Sequence, residues 1–291
     1  MQKITHTLTR RPKILFEDIK IQHTVFALPF AFMAAFMAAE GVPPLSVIIW
    51  ILGAMAGGRS GAMVFNRMVD MKFDRENPRT TGRALPSGRA AMGEYIFFLL
   101  LAVLLFEFSC YMLNPLTLKL SPIALLIIFG YSLTKRFTPY SHFFLGLALG
   151  IVPVGAWVAV REEISAKSVI LMLAIIFWLA GLDIIYSCQD VDFDKRAGLF
   201  SFPASYGIER SLRLSSIFHI VMLLFLLSLY FLYNLFGGIY LAGLFLVTSL
   251  LTYEHSIVRP DDLSRVNVAF FKVNGLVSIL ISLAAIADIF L

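Results

Sequence analysis

Apolar residues fall into long runs separated by shorter polar stretches along the whole chain. About 20 apolar residues in a row are what a helix needs to cross hydrocarbon, where backbone groups can pair only within the segment. By that criterion the pattern predicts an all-α chain of nine transmembrane helices. They lie near 21–39, 45–65, 92–112, 120–134, 143–160, 168–187, 212–234, 237–254 and 268–290. The fourth run is short and flanked by Pro122 and Pro139. Residues 1–20 are polar and basic and lead into an apolar run followed by further spans, so they read as a tail and not as a cleaved leader.

Composition sharpens this picture. Hydrophobic residues make up 59% of the chain, charged residues 15%, and the mean hydropathy is +0.82. So little polar surface cannot cover a water-facing globule, so lipid is the expected solvent. The net charge of +5 does not imply nucleic acid, because the charges sit in short blocks between apolar runs, as beside an anionic membrane. Twenty Lys and Arg residues fall in the tail and in alternate loops, against Lys119, Arg161 and Lys167 on the other side. That bias predicts a cytoplasmic N-terminus in a multi-pass protein. Cys110, Cys188 and five scattered histidines suggest neither a disulfide framework nor a histidine-ligated metal.

The informative polar residues are acidic ones at span ends, in the loops 66–91 and 190–211. Asn66, Asp70 and Asp74 are spaced four apart, which at about 100° per residue puts them on one stripe of a continuous helix. Asp183, Asp190 and Asp194 share a second stripe, with Tyr186 beside it. The offset from Asp70 to Asp190 equals that from Asp74 to Asp194, 120 residues, which hints at an internal duplication of about 21–140 and 141–291 within a single domain. Carboxylate and amide oxygens suit Mg²⁺, which binds through one or two carboxylates and keeps room for phosphate. Arg79, Arg83, Lys135, Arg136, Lys195 and Arg196 fall in loops on the same side, and arginine's fork matches phosphate oxygens. Arg59 lies seven residues before Asn66, deeper on the same stripe, where it calls for Asp70, Asp183 or an anionic substrate as partner. Taken singly, an aspartate pair at a span end is a solvated helix terminus, and loop cations are a topology signal. Their joint occurrence at one face points to a site.

Asn66-x₃-Asp70-x₃-Asp74, followed by Arg79-Thr-Thr-Gly-Arg83-Ala-Leu-Pro86-Ser87-Gly88, resembles the first motif of the UbiA superfamily of intramembrane prenyltransferases. Asp190-x₃-Asp194, preceded by Asp183 and Tyr186, resembles the second, and Tyr131-x₃-Lys135-Arg136 resembles a third stretch. The closest branch is that of 4-hydroxybenzoate polyprenyltransferase-like members. The segment Gly198-Leu-Phe-Ser201-Phe-Pro203 departs from the Gly-x-Lys-Ser-Thr form of ubiquinone-pathway enzymes and is nearer to members linked to futalosine-route menaquinone.

The resemblance implies nine helices around a central chamber under cytoplasmic cap loops. It also implies transfer of a polyprenyl group from polyprenyl diphosphate to an aromatic acid acceptor, 4-hydroxybenzoate or a hydroxynaphthoate. Asn66, Asp70, Asp74, Asp190 and Asp194 would hold Mg²⁺. Arg79, Arg83, Lys135, Arg136, Lys195 and Tyr186 would bind substrate, Arg59 or Lys20 would hold an acceptor carboxylate, and Asp183 or Asp190 would serve as base. Two alternatives stay open: a related prenyltransferase acting on haem or lipid, and a transporter with Arg59 and Asp183 in its pathway.

Overall fold

The computed structural model describes residues 26–291, and within them the chain is helical, with one isolated bridge between Arg259 and Asp262. The helices are α1 (Leu28–Ala39), α2 (Leu45–Val69), α3 (Met71–Glu76), α4 (Met92–Leu113), α5 (Pro115–Gly130), α6 (Ser141–Arg161) and α7 (Ala166–Ser187). They continue as α8 (Val191–Ala197), α9 (Phe202–Tyr206), α10 (Ile208–Leu232), α11 (Gly238–Ile257) and α12 (Asn274–Phe290). Tyr131–Arg136 and Cys188–Asp190 are 3₁₀ turns, and Val268–Val273 is a π-helical turn leading into α12.

Seven of these helices, three with the turns or short helices joined to them, are long and apolar enough to cross a bilayer: α2, α4, Pro115–Arg136, α6, Ala166–Ala197, α10 and Val268–Phe290. The chain is a multi-pass membrane protein. The helix α11 has 20 residues but carries Thr248, Thr252, Glu254 and His255, and α1 is described for 12 residues only. The fourth expected span begins earlier than the apolar run suggested. Pro115 sits in its first turn and Asn114 caps it, accepting from the Thr117 backbone N–H at 2.8 Å.

Helix α7 is the most buried of these spans and packs between α6 and α10. Glycine makes two of the contacts possible. A Cβ on Gly57 would lie 2.6 Å from the Phe106 nitrogen of α4, and one on Gly146 would lie 2.6 Å from the Ile176 oxygen of α7. Small residues at helix crossings let backbones approach where lipid offers no hydrophobic drive. Buried polar bonds add to this. The Trp178 Nε1–H donates to Asn274 Oδ1 at 2.6 Å, and Asn274 Nδ2 donates to Glu254 Oε2 at 2.6 Å and to the Ala269 carbonyl of the π turn at 2.9 Å. Outward, Phe97, Leu100, Leu104, Phe108, Leu126, Phe231 and Phe245 are exposed, a belt that only a lipid solvent accommodates.

Candidate active site

Both acidic stripes bend at their middle aspartate. Helix α2 ends at Val69, and Asp70 (φ −91°, ψ 2°) precedes the short α3, which carries Asp74. The second stripe repeats the device: Asp190 (φ −104°, ψ 4°) precedes the short α8, which carries Asp194. The expectation of an unbroken helical stripe is therefore corrected. Hydrogen bonds still cross the first break, from the Asp70 N–H to Asn66 O at 2.9 Å and from the Asp74 N–H to Asp70 O at 2.8 Å. The turn brings the second aspartate inward each time, leaving Asp74 6% and Asp194 3% exposed.

Around these carboxylates stand the loop cations. The Arg83 Nη1 donates to both oxygens of Asp74 at 2.6 Å, and Arg79 Nη2 donates to Asp190 Oδ2 at 2.9 Å. Arg136 donates to the Val69 carbonyl at 2.7 Å and reaches within 3.7 Å of Asp70, whose other oxygen accepts from Asn66 Nδ2 at 2.9 Å. Burial, and after it the neighbouring Asp74, push Asp70 above the ordinary carboxylate range, against the pull of Lys135, Arg136 and Arg83. Crowded acids of this kind call for more positive charge than the chain supplies. Lys135 faces four of them, Asp183, Asp194, Asp190 and Asp70.

These groups line one cavity of about 250 Å³, together with Asn77, Thr80, Tyr131, Asp183 and Tyr186. Tyr186 packs against Phe270 in a tilted pair with ring centroids 4.3 Å apart, and the Arg79 guanidinium lies 5.1 Å above its ring. Asp183 accepts from His142 Nδ1 at 2.7 Å. A second cavity of about 280 Å³ adjoins. Its lining is almost wholly apolar, with Met55, Phe106, Leu120, Ile127, Leu149 and Val152, and Tyr131 lines both.

The UbiA prenyltransferase family model matches residues 27–276. The chain belongs to the UbiA prenyltransferase family. It is 34% identical over 240 residues to a 4-hydroxybenzoate octaprenyltransferase of Vibrio atlanticus (strain LGP32), covering 82% of this chain and 83% of that one. Among solved structures, an apo UbiA homolog from Aeropyrum pernix K1 superposes with a TM-score of 0.83 at 31% identity, over 92% of this chain and 98% of that one. A UbiA homolog from Archaeoglobus fulgidus bound to DMAPP and Mg²⁺ shares the fold, with a TM-score of 0.73 at 18% identity over 95% and 99% of the two chains. Membership in the prenyltransferase family removes the transporter alternative.

Within this UbiA enzyme most of the expected site residues converge. Asn66, Asp70, Asp74, Arg79, Arg83, Lys135, Arg136, Asp183, Tyr186, Asp190 and Asp194 all line the polar cavity. Lys195 does not. One residue beyond the inward Asp194 on a short helix, it points outward and is exposed. Arg59 is also displaced from its expected partners: it lines the apolar cavity, its Nε is buried without a hydrogen-bond partner, and among the described residues it forms no ion pair. Asp183 is paired with His142 instead. Lys20 lies outside the described residues. Sequence reasoning passed over His142, because a lone histidine at the start of a span carries no spacing signal until the fold sets it beside Asp183.

Proposed function

We propose that the chain transfers a polyprenyl group from polyprenyl diphosphate to an aromatic acid, 4-hydroxybenzoate or a related hydroxynaphthoate, in quinone biosynthesis, with Mg²⁺ as cofactor. The observation that carries this reading is the pair of acidic helix breaks lining one polar cavity beside an apolar one. The donor set fits Mg²⁺. It is all oxygen, and Asp194 Oδ2 is buried with no hydrogen-bond partner. Mg²⁺ held through one or two carboxylates keeps coordination positions for phosphate and water. Bound there, Mg²⁺ would add positive charge beside the departing diphosphate. The relatives' names and the Mg²⁺ and DMAPP in the A. fulgidus homolog support the same reading.

The roles of the chain's own groups follow from their places. Arg79, Arg83, Lys135 and Arg136 neutralise charge growing on the leaving diphosphate as the allylic C–O bond breaks. The prenyl tail lies in the apolar cavity, where the allylic cation is kept from water. The ring carbon ortho to the acceptor's phenol forms the new C–C bond, and its proton passes to Asp183 or Asp190. Arg59, which lines the apolar cavity beside Tyr131, would hold the acceptor carboxylate, a role Lys20 could share. The product tail leaves into lipid, which keeps it from water as the apolar cavity did.

The same reading takes α1 and α11 as spans, giving nine in all, with the N-terminus and both acidic loops cytoplasmic in a bacterial inner membrane. The matching backbone at Asp70 and Asp190 supports a duplicated origin for the two halves. The test is purified protein with Mg²⁺, geranyl diphosphate and a mixture of 4-hydroxybenzoate, hydroxynaphthoates, haem and lipid acceptors, read by mass spectrometry. A prenylated aromatic acid is expected. A prenylated haem or lipid with no aromatic product would overturn the acceptor class.

A further inference from the structure

We propose that His142 is a positioning residue for the transfer reaction: it orients Asp183 over the polar cavity and couples that carboxylate to the loop segment around Phe202. This rests on the prenyl-transfer reading of the cavity. His142 sits in the first turn of α6 and is 1% exposed. Its Nδ1 lies 2.7 Å from Asp183 Oδ2, and the Phe202 backbone N–H donates to its Nε2 at 3.2 Å. A ring nitrogen that accepts an N–H carries no proton, so the imidazole is neutral with its hydrogen on Nδ1, donating to Asp183. One side chain thus uses one acceptor on the loop and one donor on the catalytic carboxylate.

The loop segment is anchored twice to the same region of the chain. The Phe200 N–H donates to the Lys135 carbonyl at 2.7 Å, two residues before the Phe202 N–H meets His142. Ser201 between them caps α9, accepting from the Ala204 N–H at 3.3 Å. Lys135 and Asp183 both line the polar cavity, so the segment is joined to two groups that face the reacting diphosphate and acceptor. With Oδ2 held by His142, Asp183 keeps one plane and presents its remaining oxygen to the cavity, where its side chain is 15% exposed. Orientation of this kind acts on turnover more than on donor binding.

Asn and Gln separate the two bonds. An Asn amide at this position reaches where Nδ1 was and can donate to Asp183, whereas a Gln amide reaches where Nε2 was and can accept from Phe202. In the transfer assay, His142→Ala is expected to lower kcat about 30-fold with donor KM within about twofold. His142→Asn should recover most of that loss and His142→Gln little of it. In an Asp183→Asn background His142→Ala should cost less than about threefold more, because the bond it removes is already altered. A readout without turnover is tryptic cleavage after the exposed Lys195 and Arg196 in detergent: it should quicken in His142→Ala and His142→Asn and stay at the wild-type rate in His142→Gln. Full activity and wild-type cleavage in His142→Ala would overturn the proposal. So would equal impairment of Asn and Ala with additive losses in the double variant. If wild-type protein transfers no prenyl group, the transfer reading fails, and with it the catalytic half of this proposal; the cleavage pattern still decides the loop coupling.

Discussion

The two acidic helix breaks share a backbone and differ in how they are neutralised. At the first, Asp74 is committed: both of its oxygens accept from Arg83, and Asp70 is bound by Asn66 with Arg136 nearby. At the second, Arg79 reaches Asp190 from a half-exposed position, and one oxygen of the buried Asp194 has no partner. The same four-residue spacing therefore yields a closed half and an open half. A metal and a diphosphate would find bare oxygens mainly at the second break, while the first supplies a pre-set wall of paired charge.

Alanine at either middle aspartate should have the largest effect. Asp70→Ala and Asp190→Ala are each expected to lower transfer by about 1000-fold or more with helical content intact, since each removes charge at the reacting diphosphate. Near-normal turnover in one of them would show that the breaks do not act together. Next comes the asymmetry itself. Asp194→Asn should cost about 100-fold in kcat/KM and Asp74→Asn about 10-fold, because the open oxygen is the one free to take a ligand. Equal losses in steady-state kinetics would erase the distinction.

The arginines sharpen the comparison on a different axis. Arg83→Ala leaves the buried Asp74 without its partner and should lower stability by about 1–3 kcal/mol, seen as a fall in Tm. Arg79→Ala should change stability by less than about 1 kcal/mol, its side chain being 38% exposed, yet raise donor KM about tenfold. Smallest of all, Lys195→Ala should leave kcat and KM within about twofold, because that side chain faces away from the cavity.

Much of this was legible in the sequence, for reasons that vary by residue. Lipid demands long apolar runs, so α2, α4, α6, α7 and α10 could be placed within a few residues. The aspartates stood out because carboxylates at span ends in so apolar a chain are costly. Four-residue spacing, though, could not reveal the bends at Asp70 and Asp190, since a helix that turns through one bridge-region residue keeps the same spacing. It could not show that Lys195 points outward on a short helix. Arg59 and Asp183 were natural partners by charge alone. Which residue meets Asp183 depends on α6 packing beside α7, and no local pattern announces His142, 41 residues away in the chain.

In the proposed mechanism both helix breaks grip one diphosphate through a divalent cation. Calorimetric titration of a non-reactive prenyl thiodiphosphate tests it without turnover. Binding is expected to need Mg²⁺, to vanish on chelation, and to weaken at least about 100-fold in Asp70→Ala and in Asp190→Ala alike. Wild-type affinity in the presence of chelator, or in either variant, would contradict the account.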